Sequence, residues 1–146
     1  MTESDPALVD SNILVYAYDI SDQEKHNKAK TIMNLAWTRK KVLAFSIQNL
    51  SEFVTVSTTK INNPLKIDLV RAIISDILYF SQFKTFAISA EDILTAINFL
   101  DKYKLNYWDS LIVAVMHKNK IHTIITENEK DFKKIPWLIV INPFKK

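Results

Sequence analysis

Of the sixteen acidic side chains in this sequence, four stand beside apolar runs rather than among polar neighbours. Asp10 closes the run Ala7, Leu8, Val9. Glu52 lies between Leu50 and Phe53, one turn into a helical stretch. Asp109 separates Tyr107 and Trp108 from the apolar run Leu111 to Met116. Asp131 follows the stretch Thr123 to Thr126 by a few residues and precedes Phe132. A carboxylate against buried surface is costly unless a partner offsets its charge. Clustered carboxylates repel one another, and a hard cation such as Mg²⁺ or Mn²⁺ relieves that repulsion through oxygen ligands. The alternative is helix capping by Asp10 and Asp109, because aspartate is common at helix starts. The remaining acids have simpler roles. Asp19, Asp22, Glu24, Asp68, Asp76 and Asp101 read as solvated surface, and Glu91 and Asp92 suit the positive end of a helix dipole.

Other chemistries are poorly supported. His26, His117 and His122 are too scattered for a metal site or a catalytic dyad, and read as surface or helix-end residues. Ser11, Ser51 and Ser110 each adjoin one of the acids, but no histidine base accompanies them. Their hydroxyls are better suited to hydrogen-bonding carboxylates or helix ends than to nucleophilic attack. The absence of cysteine removes disulfides and thiolate metal sites, and suits a reducing cytoplasm. The absence of glycine removes the phosphate-binding loops that need close backbone approach, and with them the usual ATP and dinucleotide sites. Trp37 and Trp137 read as packing residues. Trp108 reads chiefly the same way, although its place beside Asp109 also suits stacking on a base. Arg39, Lys40 and Lys41 form a basic run at a helix end that could touch a nucleic-acid backbone.

The elements that must position the acids alternate along the chain. Short apolar strands are expected at 7–10, 42–46, 85–88, 123–126 and 138–141. Helices are expected at 11–18, 22–40, 47–60, 67–83, 89–104 and 109–118. Asn62, Asn63 and Pro64 break the chain after the third helix, and Ser89 with Asp92 resembles a capping box. Strands that are apolar throughout, each followed by a helix, predict a parallel sheet covered on both faces: an α/β fold. In such sheets ligands collect at the carboxyl ends of the strands. Asp10 and Asp131 lie just beyond such ends.

No repeat, low-complexity tract or linker divides the 146 residues, so a single domain over 1–146 is expected. Hydrophobic residues at 48% and charged residues at 24% suit a packed globular core rather than disorder. The net charge of +3 leans only weakly towards a polyanionic partner. The acidic N-terminal stretch lacks the positive charge and apolar run of a signal peptide, and no segment reaches membrane-spanning length. The expectation is a soluble, cytoplasmic protein with no membrane partner.

Four stretches together resemble the PIN-domain ribonucleases. They are Val9 to Tyr16, the helix carrying Glu52, Tyr107 to Ala114, and Ile124 to Phe132 followed by Val140 to Phe144. The resemblance covers about residues 7–144 and is strongest to the VapC-type toxins of toxin–antitoxin pairs. It implies a three-layer α/β/α domain with a roughly five-stranded parallel sheet, and a Mg²⁺- or Mn²⁺-dependent endoribonuclease. Residue by residue it implies Asp10, Glu52 and Asp109 as the first three catalytic, metal-ligating acids. For the fourth, family members often carry aspartate where this chain has Asn128, and others show the Asn-x-Lys-Asp-Phe form found here. That form puts the fourth acid on Asp131, with Asn128 as a neutral neighbour; Ser11, Asn12 and Thr126 form the supporting polar set. It further implies an RNA substrate, a small antitoxin partner and a homodimer. Two other readings remain: a catalytically inert RNA- or protein-binding relative, and a housekeeping PIN nuclease. A phosphatase or receiver built on Asp10 is disfavoured, since Asn12 stands where the phosphatase needs a second acid.

Overall fold

The structure, a computed structural model, describes residues 5–145. The ends of the expected 1–146 domain, residues 1–4 and 146, lie outside the described residues, and with them the start of the acidic N-terminal stretch. Five strands form one parallel sheet: β1 (Ala7–Val9), β2 (Leu43–Ser46), β3 (Phe83–Phe86), β4 (Thr123–Ile125) and β5 (Ile139–Ile141). Their order is β3-β2-β1-β4-β5. Each neighbouring pair is parallel, with Leu8 opposite Ala44 on one side and Ile124 on the other. The chain works outward from β1 to β3 and then restarts on the opposite side with β4. The switch between β1 and β4 opens a crevice at their carboxyl ends.

Among the described residues, seven helices complete the fold: α1 (Ser11–Tyr18), α2 (Gln23–Trp37), α3 (Ile47–Thr59), α4 (Ile67–Tyr79), α5 (Ala90–Tyr103), α6 (Tyr107–Lys118) and α7 (Glu129–Phe132). The strand pleat divides them into two layers. Ala7, Val9, Leu43, Phe45 and Ile125 face a core made with α1 to α4, where Ile13, Met33, Phe53 and Ile77 are buried. Leu8, Ala44 and Ile124 face the other core, made by Ile112 and Met116 of α6 with Phe132 and Ile135. Ala96 of α5 packs on Leu111 and Ala114 of the same α6. The central strands are buried on both sides, which is why β1, β2 and β4 show no polar alternation. The three-layer α/β/α fold expected from the sequence is therefore the one present.

Several boundaries differ from expectation. The fourth helix stops at Tyr79 instead of 83, and the next strand begins at Phe83 instead of 85. Phe80 is extended at φ −82° and ψ 127°, and the Phe83 N–H turns back to the Phe80 carbonyl. Trp37 takes both rings at 5.1 and 4.7 Å, so tertiary packing overrides local helix propensity. The sixth helix begins at Tyr107 because Asn106, not Asp109, caps it. The short α7 around Asp131 has no counterpart among the expected helices.

Candidate active site

Asp10 leaves the end of β1 and becomes the N-cap of α1, yet capping is only one of its contacts. Its Oδ1 accepts from the Ser11 N–H at 2.8 Å and from Asn49 Nδ2 at 3.4 Å. Its Oδ2 accepts from the Thr126 hydroxyl at 2.8 Å and from Asn12 Nδ2 at 3.3 Å. The side chain is 6% exposed, and burial lifts its carboxyl above the usual aspartate range. The Thr126 and Ser11 hydrogen bonds work against that rise, and the charge of Glu52 adds to it. Asp10 is thus held from β1, α1, α3 and the end of β4, across the β1/β4 crevice.

Glu52 reaches the same edge from α3. Ser11 donates its hydroxyl to Glu52 Oε2 at 3.1 Å, and Gln48 Nε2 donates to Oε1 at 3.1 Å. The same Gln48 amide donates to the Trp108 carbonyl, also at 3.1 Å, tying α3 to the start of α6. Asp109 occupies the first turn of α6. Asn106 caps that helix by accepting from the Asp109 N–H at 2.9 Å, while its own amide donates to Asp109 Oδ2 at 2.8 Å. Asn128 donates to Asp109 Oδ2 at 3.3 Å, and its N–H bonds the Thr126 hydroxyl that also serves Asp10. Burial raises the Asp109 carboxyl, and the charges of Asp10 and Asp131 raise it further. The Asn106 and Asn128 amides oppose that rise.

The sequence-selected acids therefore do not stand equally close. Asp10, Glu52 and Asp109 are linked through Ser11, Thr126, Asn128 and Gln48. Asp131 joins by its charge on Asp109, and its nearest cation is Lys134 at 3.7 Å. The capping alternative splits in the same way: Asp10 does cap α1, and Asp109 caps nothing.

Three residues the sequence reading passed over belong to this arrangement. Asn49 is fully buried and bonds Asp10 while accepting from the Ser46 N–H and hydroxyl. The signal for it was present: a polar residue on the α3 stripe otherwise carrying Leu50 and Phe53. Asn106 precedes Asp109 by three residues, the spacing of a capping pair. Gln48 precedes Glu52 by one helical turn. Glu127 is also held from outside the set, by Lys25 and by Tyr16 Oη at 2.9 Å, with its N–H on Asn12 Oδ1 at 3.3 Å. These bonds fix the β4–α7 loop against α1 and α2.

The donor set suits a hard divalent cation. It offers only oxygen, and buried Asp10 and half-buried Asp109 carry a repulsion that a cation would relieve. Amides and hydroxyls occupy the outer lone pairs and orient the acids, as an outer ligand shell does. Among the described residues, no three carboxylates or imidazoles are gathered closely enough to hold a metal ion together. An open site of one or two carboxylates with retained waters is the arrangement Mg²⁺ accepts most readily.

The fold and the acids together define a class: a parallel α/β/α domain with carboxylates at its topological switch point. The sequence profile of the PIN domain matches residues 7–138, and the chain belongs to that family. Solved structures of the same fold include a toxin–antitoxin complex from Klebsiella pneumoniae, at 24% identity and a TM-score of 0.65, covering 96% of this chain and 99% of that one. VapBC2 from Rickettsia felis, bound to a DNA fragment from its promoter, matches at 24% identity and a TM-score of 0.62, covering 94% and 98%. The sarcin–ricin loop cleaving toxin VapC20 of Mycobacterium tuberculosis matches at 19% identity and a TM-score of 0.65, covering 87% and 93%. No curated protein sequence matches the chain.

Proposed function

We propose that this PIN domain is a Mg²⁺- or Mn²⁺-dependent endoribonuclease, acting in the cytoplasm as the toxin of a type II toxin–antitoxin pair. The observation that carries this reading is the polar network joining Asp10, Glu52 and Asp109 across the β1/β4 crevice. Its similarity in fold to toxin–antitoxin structures supports the antitoxin partner, and a homodimer is part of the same proposal.

Asp10 and Asp109 would hold the cation, Glu52 would orient the attacking water, and Asp131 would hold a second ion or an ordered water. The cation, when bound, supplies an activated water and offsets charge building on the phosphoryl oxygens. Thr126, Asn49, Asn12 and Ser11 keep Asp10 in one orientation, and Asn106 and Asn128 do the same for Asp109. No side-chain nucleophile is needed, because water attacks the phosphorus and the bond to the 3′ oxygen breaks.

The test incubates the purified protein with single-stranded RNA, with and without Mn²⁺ or Mg²⁺, and maps the product ends. The expected products carry 5′-phosphate and 3′-hydroxyl groups, and EDTA stops the reaction. Losing an outer-shell partner typically lowers activity 10–100-fold, so Asp10→Asn is expected to lower it by at least about 100-fold. Metal-independent cleavage leaving 2′,3′-cyclic phosphates would overturn this chemistry. Binding of RNA without cleavage would favour an inert binding module.

A further inference from the structure

Beside Asp10 and Asp109 runs a groove of about 500 Å³ that shares Gln48 and Glu52 with the network above and extends past it to Lys60 and Trp108. Its floor is one face of α3, from Gln48 past Glu52 and Val56 to Lys60, and α6 contributes Trp108. The two other tryptophans are packed, Trp37 against Phe80 and Phe83 and Trp137 against Phe99. Trp108 instead is 63% exposed, against the packing role expected for it. Its ring is steadied edge-on by Tyr107 at 5.2 Å, and it neighbours Asp109 in sequence.

Two further features of the groove look unspent. Gln48 Oε1 is the one buried side-chain oxygen or nitrogen among the described residues without a hydrogen-bond partner, although the Nε2 of the same amide is used twice. A buried acceptor left unpaired calls for an explanation. The Lys60 ammonium, at the far end of the groove, enters no salt bridge among the described residues.

Resting on the nuclease reading above, the geometry points to a subsite for one unpaired nucleotide of single-stranded RNA, flanking the phosphate to be cut. The base stacks on the open face of Trp108, which any base can do and only an unstacked one can. A small rotation of Gln48 offers Oε1 to a donor on that nucleotide, a 2′-hydroxyl or an exocyclic amine. Lys60, two turns beyond Glu52 on α3, neutralises a neighbouring phosphate. A protein segment is the less suitable occupant, because one exposed aromatic face sharing a groove with the acids' edge and an unpaired lysine complements a base flanked by phosphates.

The experiment measures binding of a short unstructured RNA to Asp10→Asn protein, by fluorescence anisotropy in Mn²⁺. Adding Trp108→Ala is expected to raise Kd about tenfold or more, whereas Trp108→Phe stays within about threefold, because stacking survives. Lys60→Gln is expected to reduce the slope of log Kd against log salt by about 0.7, the value for one single-strand phosphate. An RNA with one abasic nucleotide beside the cut should bind weakly to the parent and no more weakly still to Trp108→Ala. In otherwise wild-type enzyme the loss should fall on KM more than on kcat. Tyr79→Ala, an 85% exposed aromatic on α4, should change none of these.

Unchanged RNA affinity in Trp108→Ala, while the wild type still cleaves RNA, would overturn the subsite and leave the nuclease reading standing. So would additive effects of the abasic RNA and Trp108→Ala. Loss of a protein partner with RNA binding intact would reassign the groove to that partner. Failure of the wild type both to bind and to cleave RNA would instead remove the nuclease reading itself.

Discussion

Two buried aspartates in this protein have opposite electrostatics, and the difference separates a structural acid from a chemical one. Asp92, 2% exposed, sits in the first turn of α5. Burial opposes its charge, but Lys118 Nζ and the Ser89 N–H, each donating at 2.7 Å, outweigh burial and hold the carboxyl below its usual range. Asp10 is almost as buried and has only neutral donors, so burial prevails and lifts its carboxyl. The first arrangement stabilises the fold, and the second leaves a charge awaiting a cation. Asp92→Asn is expected to cost about 1–2 kcal/mol at neutral pH, discounted because Lys118 is partly exposed. The folded pKa of Asp92 lies below its unfolded value. Its contribution is therefore complete above the ordinary aspartate pKa of about 3.9 and fades as pH falls through the folded value. Urea denaturation of the wild type and Asp92→Asn should show their gap closing in acid. A gap that holds constant at the lowest pH where both remain folded would mean that Asp92 acts through packing rather than charge.

At the scale of elements, α6 carries both a large share of one core and one of the acids, and Asn106 serves both roles. It caps the helix and also donates to Asp109. Asn106→Ala is expected to cost about 1 kcal/mol in stability, as an N-cap does. It should also lower cleavage about 10–100-fold through the freed Asp109 carboxylate. Asn106→Asp would keep the cap but place a charge against Asp109, so it should restore stability without restoring activity. Equal recovery of both would show that capping alone matters. This helix also shows what the sequence made legible. The apolar run Leu111 to Met116 marked it as buried, and Asp109 stood out against that run. Its start was misplaced by two residues, because aspartate and asparagine both cap helices and the chain offers one of each. The β2–α3 segment was placed to within a residue, but Asn49 was missed: its place on the apolar stripe marked it as buried, and only the folded Asp10 shows which partner its amide serves. The α4–β3 boundary failed for another reason. Ile67 to Phe83 is continuous in apolar content, and only the packing of Phe80 and Phe83 on Trp37 decides where the helix yields to the strand. Contacts such as Lys25 with Glu127 join distant segments, and no local pattern announces them.

For the whole molecule, the acids come from both layers and from the strand between them. Asp10 follows β1, Glu52 comes from the α3 layer, and Asp109 and Asp131 come from the α6 and α7 layer. A ligand held by this set would bind only when all three layers are assembled, so its binding free energy adds to global stability. The absence of glycine adds to the need for such support: Arg39, Lys104 and Lys120 take left-handed backbone at φ 61°, 55° and 57°. Each such position costs a side-chain-bearing residue about 1–2 kcal/mol. Saturation with Mn²⁺ at about one hundred times Kd should stabilise the fold by about 2.7 kcal/mol. For a chain of this size that raises Tm by about 5–10 °C. The shift should shrink sharply in Asp10→Asn and Asp109→Asn and remain in Asp92→Asn, whose carboxylate is already occupied by Lys118. Calorimetry on the four proteins, with and without the ion, makes the comparison. A shift of equal size in all four would place the bound ion away from the β1/β4 crevice, and the metal reading of Asp10 and Asp109 would have to be abandoned.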